Sequence, residues 1–172
     1  MRKGVVILII CLAIVCIAVP VVSYYGSICY GEEGLIEKAR EEIPVADADT
    51  IEIVIVGKSV DGDSELYWFR SGNEYQYHRY TPIEFTNLGD GKYRFVKTYN
   101  PIDRGMQIRA LQWNGGYSFL IDNEKCAYLE LTYPEVNPTV TVIPVDSVPF
   151  VYYSSVMPAE YNFLDAEGNI LH

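Results

Sequence analysis

Apolar residues fall along this chain in three successive patterns: an unbroken run, a helical stripe and a long alternation. From Gly4 to Val22 nearly every position is Val, Ile, Leu, Ala or Cys, and after Arg2 and Lys3 no charged residue occurs before Glu32. About nineteen residues at ~1.5 Å rise make roughly 28 Å of helix, close to the bilayer's hydrocarbon thickness of about 30 Å. The run predicts a transmembrane helix retained as an anchor. A cleaved secretory signal has the same order of parts and is the alternative, with Val21 and Ser23 placed as its small-residue cleavage site. Tyr24, Tyr25 and Tyr30 suit an interfacial aromatic belt, and Arg2 and Lys3 hold the amino end in the cytoplasm. Lipid attachment does not fit, because Cys11 and Cys16 follow Ile10 and Val15 rather than a small residue.

The helical stripe comes next. Leu35, Ile36, Ala39 and Ile43 share one face, Glu32 and Glu33 favour the helix start, and Pro44 stops it. Glu41 and Glu42 oppose the dipole at its end, so this helix of about three turns depends on packing. Beside the membrane it reads as a stalk or a lid.

After Asp49 the period becomes two. Ile51, Ile53 and Ile55 form one face of a strand ending at Gly57. Further strands are predicted over 66–70, 74–80, 83–86, 92–99, 106–113, 117–121, 126–133, 139–143, 150–153 and 161–164. The intervening turns, among them Ser71-Gly72-Asn73, Asn87–Gly91, Asn114-Gly115-Gly116 and Asp165–Asn169, supply residues that tolerate positive φ. Between Ile108 and Trp113 the apolar phase slips, which predicts a β-bulge near Ala110. Pro134, Pro138, Pro144, Pro149 and Pro158 assign the later strands to sheet edges or crossings. The predicted fold is mainly β: an antiparallel β-sandwich, Ig-like or jelly-roll-like, with one short helix, preceded by the transmembrane or signal helix. Three segments follow: 1–29 as anchor or signal, 30–49 as membrane-proximal helix and linker, and 50–172 as the β-rich extracytoplasmic domain.

Composition sharpens this picture. Arg2 and Lys3 apart, the chain has 11 basic and 23 acidic residues, a formal charge of −12 on the exported part. Such a surface repels phosphate backbones and keeps the domain soluble, which excludes nucleic acid as a partner. Cys29 and Cys126 form an even pair that an oxidising compartment would permit to bond, closing a loop of about 97 residues. Cys11 and Cys16 lie in the apolar run.

Candidate chemistry is sparse. His78 lies in an alternating strand next to Arg79 with no nucleophile signature nearby. Zinc-type spacing of Cys and His is absent, and Asp61-Gly62-Asp63-Ser64-Glu65 lacks the twelve-residue calcium pattern, so it reads as a solvated hairpin loop. No metal, cofactor or catalytic residue is assigned. Aromatic residues are in excess: 15 Tyr, 6 Phe and 2 Trp. Trp68 and Trp113, each next to a turn, and Tyr75 and Tyr77, on one strand face, are the candidate ligand-binding residues; the tryptophans could equally plug the core. The sequence is thus read as a membrane-anchored, noncatalytic binding module, with a protein or carbohydrate partner. A carboxylate-dependent hydrolase and a structural envelope protein are the alternatives.

Overall fold

The structure, a computed structural model, describes residues 27–43, 50–73, 76–102, 108–134 and 139–171, excluding the side chains of residues 73–78. The apolar run 4–22 lies outside them, and among the described residues no helix is long and apolar enough to cross a membrane. The described chain is mainly β, with antiparallel sheets and one short helix.

Strand β1 (Ile28–Tyr30) leads directly into helix α1 (Gly31–Glu42). A meander of β2 (Glu52–Asp61), β3 (Ser64–Asn73), β4 (Gln76–Gly89) and β5 (Lys92–Thr98) completes a five-stranded sheet with the order β1-β5-β4-β3-β2. A second sheet, ordered β10-β7-β6, uses β6 (Ile108–Trp113), β7 (Gly116–Ile121) and β10 (Phe150–Ser154). The third is β11-β8-β9, from β8 (Tyr128–Tyr133), β9 (Thr139–Pro144) and β11 (Glu160–Leu164).

Three apolar clusters lie between these layers. Leu35 and Ala39 on α1 and Ile43 just past its end, spaced one helical turn apart, pack onto Ile51 and onto Ile53, Tyr67, Phe69, Ile83 and Phe85 of the first sheet. The alternate residues of β3, Leu66 and Trp68, point to the other face and meet Trp113 and Leu120 of the second sheet. Leu120 in turn alternates with Phe119 and Ile121, which face Leu129, Leu131 and Phe163 of the third. Strands β3 and β7 are therefore apolar on both faces. Each fully buried Leu or Phe contributes roughly 1.5–3 kcal/mol, so the two interior strands carry much of the stability.

Several expectations are revised. β1 joins the first sheet through Cys29↔Tyr93, although Ile28 and Cys29 were assigned to the anchor or signal segment 1–29. β2 does not end at Gly57: a register shift between Ile55 and Gly57 leaves Val56 as the extra residue, and the strand continues to Asp61. Gly57 is required there, because a Cβ would lie 2.5 Å from Val151 Cγ2. β4 is one strand of 14 residues rather than two. Pro82 fits within it because its carbonyl accepts from Tyr99 N–H, which places its missing amide on the side where β5 departs. No bulge occurs at Ala110, since β6 and β7 pair in continuous register. The phase slip has another cause: Ile108 and Ala110 face the third cluster, while Leu111 and Trp113 face the second. The prolines behave as expected where described, with Pro144 ending the edge strand β9 and Pro149 preceding the edge strand β10.

Candidate functional site

The β2–β3 hairpin builds the most concentrated polar group of the described structure. Its two-residue turn, Gly62-Asp63, pairs Asp61 with Ser64. Counting outward, Lys58 faces Tyr67 and Glu65 lies diagonally between them, all on the side that α1 covers. Glu65 is only 3% exposed, and its carboxylate accepts from Lys58 Nζ at 2.8 Å, Tyr67 Oη at 2.6 Å and Asn87 Nδ2 at 2.7 Å. Burial opposes ionisation of Glu65, but these three donors outweigh it and hold the carboxyl below its ordinary range. Tyr67 moves the opposite way, its phenol pushed up by burial and by its hydrogen bond to Glu65.

Above this network lies a cavity of about 330 Å³, lined by Leu35 and Ile55 on its apolar wall and by Lys58, Tyr67, Tyr93 and Glu32 at its polar side. The rings of Tyr67 and Tyr93 meet edge to face, with centroids 5.9 Å apart. Lys58 Nζ sits 5.4 Å from the Tyr67 centroid and is within 3.5 Å of its hydroxyl. A larger groove of about 440 Å³ runs on the other side of α1 against β1, lined by Glu33, Glu37 and Glu41. The smaller cavity is the better candidate because it joins an apolar wall to fixed hydrogen-bonding groups, the usual composition of a ligand site.

The residues singled out in the sequence are placed elsewhere. Trp68 and Trp113 share the second cluster at 0% and 2% exposure, so neither offers a surface for stacking. Trp68 Nε1 donates to Ser118 Oγ at 2.8 Å, and Ser118 also bonds Ser59 Oγ at 2.8 Å, forming a polar seam between the first two sheets. Trp113 packs edge-on against Tyr153 at 5.0 Å, and its Nε1 has no partner among the described residues. Tyr75 lies outside the described residues, as do the side chains of Tyr77 and His78. Cys29 and Cys126 are free and buried in the first and third clusters, so the possible disulfide is not formed: the first and second sheets stand between those clusters. Burial pushes both thiols up, which leaves them poor nucleophiles. The Asp61–Glu65 segment is the hairpin itself, with Glu65 drawn inward, and the described residues contain no group of three or more His, Cys, Asp or Glu that could hold a metal.

No protein family, curated protein or solved structure matches this chain.

Lys58 was missed because the first strand was expected to end at Gly57, and Tyr67 and Tyr93 because the fold alone brings their strands to one cavity. The signal was present in Gly62-Asp63: a two-residue hairpin turn there fixes the register and brings Lys58 to Tyr67 by counting.

The network has a consequence in acid. Because Glu65 titrates lower in the fold than its ordinary value near 4.5, its contribution is complete above that value and is lost as pH falls through the folded value. Urea midpoints measured between pH 7 and pH 3 should fall with acidity. The decline should be shallower in Lys58→Met, which removes one of the three donors, and an identical acid limb in both proteins would contradict the assignment.

Proposed function

We propose that the protein is a noncatalytic binding module displayed on the outer side of the cell membrane by its N-terminal segment, with the cavity beneath α1 as its ligand site. The observation that carries this reading is the Lys58–Glu65–Tyr67 network at the base of a partly apolar cavity of about 330 Å³. Two of the three Lys58 ammonium hydrogens are engaged by Glu65 and Tyr67, which leaves one for a ligand oxygen. Lys58 is offset by Glu65, and Glu32 adds a further negative charge, so the cavity disfavours anions. A neutral, hydroxyl-rich molecule of carbohydrate type matches this mixture of tyrosine rings, one donor and one acceptor. The anchor reading rests on the apolar run 4–22 with Arg2 and Lys3 before it. The antiparallel sandwich, Ig-like or jelly-roll-like, belongs to the same proposal, and its support is the pair of clusters on the two faces of β7. The hydrolase alternative calls for a carboxyl with a raised pKa, and Glu65 is displaced in the other direction.

The test is binding of the detergent-solubilised full chain to an immobilised panel of neutral sugars. At least one should be retained, and Lys58→Met should weaken that binding about tenfold or more, the effect of losing a hydrogen bond from a charged donor. Retention of none, or equal retention by the variant with its fold intact, would remove the cavity as a carbohydrate site.

A further inference from the structure

Strand β9 carries a surface that neither the clusters nor the cavity uses. It is the outer strand of the third sheet, and among the described residues no strand pairs with its free side. The Val145 amide donates to Ala127 O directly opposite it, at 2.9 Å, and the Thr132 carbonyl accepts from Ala159 on the far side of β8. Both bonds fix the phase of the β8–β9 ladder. Thr141 and Ile143 bond inward to Leu131 and Leu129, while the N–H and C=O groups of Val140 and Val142 point away from the sheet. The side chains of these valines are 53% and 51% exposed. Sheet edges are ordinarily guarded by charge, yet Thr139-Val140-Thr141-Val142-Ile143 has none, in a chain of formal charge −10.

The segment also reads nearly the same in both directions. Thr141 is its centre, Val140 and Val142 flank it, and Pro138 and Pro144 stand three residues away on either side. We propose that β9 is a self-association edge, on which a second copy of this chain pairs antiparallel about a two-fold axis at Thr141. In that register Val140 of each copy exchanges two hydrogen bonds with Val142 of the other. All four outward amides and all four outward carbonyls of these valines are matched. Shifting the centre to Val140 or Val142 sets an outward valine against a proline, which has no amide to return, and leaves carbonyls unpaired. Pro144 ends the stretch in each copy and has no amide to donate, so pairing stops at both ends of the seam and makes a closed dimer instead of a fibre. The two third sheets become one sheet of six strands, with Val–Val and Thr–Thr cross-strand pairs at the seam.

The register makes a sharp test. Thr141 would face its own copy in a non-hydrogen-bonded pair, with Cα atoms about 4.5 Å apart and within reach of a disulfide. Thr139 residues would lie about 13 Å apart along the strands, out of reach. In the full chain carrying Cys11→Ser and Cys16→Ser, Thr141→Cys should give a disulfide-linked dimer on mild oxidation of native membranes, and Thr139→Cys should not. Adding Val142→Lys to the Thr141→Cys chain sets two like charges at the seam and should lower the cross-linked fraction about tenfold, with unchanged near-ultraviolet circular dichroism. No dimer from Thr141→Cys, equal yields from Thr139→Cys and Thr141→Cys, or no effect of Val142→Lys would overturn the proposal.

Discussion

Trp68→Ala should lower the stability of the domain by about 3–5 kcal/mol, a large part of the roughly 5–15 kcal/mol that holds a domain of this size. The indole fills the interface between the first two sheets at 0% exposure and donates to Ser118, so truncation opens a cavity and breaks a buried hydrogen bond together. The urea midpoint, followed by circular dichroism, should fall sharply. A comparison with Trp113 separates packing from hydrogen bonding. Trp68→Phe loses the bond to Ser118, whereas Trp113→Phe removes an indole N–H that has no partner among the described residues, so the second change should cost less despite similar burial. If Trp68→Ala left the midpoint unchanged while abolishing a binding activity, the tryptophan would belong to a surface site after all.

The second large effect is expected at Gly116, where the hairpin from β6 enters β7. A Cβ on this residue would lie 1.9 Å from the carbonyl oxygen of Ser154 and about 3 Å from the carbonyl carbons of Ser154 and Ser155. Those atoms are backbone of β10 and its exit, which no rotamer change can move aside. Gly116→Ala must therefore part β10 from β7 near Tyr117↔Ser154, at a cost of about 3 kcal/mol or more. The neighbouring Gly115 is constrained differently: its φ of 78° suits glycine, but nothing lies within 4 Å of an added Cβ. Gly115→Ala should cost only about 1 kcal/mol. Equal shifts in the urea midpoints of the two variants would contradict this distinction between crowding and backbone conformation.

Local order was legible in the sequence, and the arrangement of sheets was not. Leu35, Ala39 and Ile43 announced the buried face of α1 because helical spacing is a property of neighbours in the chain. Asn114-Gly115 announced its hairpin because both residues adopt positive φ, at 46° and 78°. Stacking is a non-local property, and the misreadings arose there. Trp68 and Trp113, next to turns, fitted both a ligand surface and a core plug, and only the second sheet laid over them decides for the core. The two apolar phases of β6 look like a bulge until both of its faces are seen to be covered. β1 is only three residues long and owes its place to Tyr93, some sixty positions away, so no local pattern marks it. Glu65 read as part of a loop for the same reason: its partner Asn87 belongs to another strand.

Display of this β-rich domain outside the cell membrane on an N-terminal anchor is the proposal on which the functional reading rests. Intact cells treated with a membrane-impermeant amine label and then fractionated put this to the most direct test, with the protein's intact mass read from each pool. Full-length chain in the membrane pool, labelled on lysines such as the exposed Lys97, is the predicted result. Unlabelled chain in the cytosolic pool would contradict it.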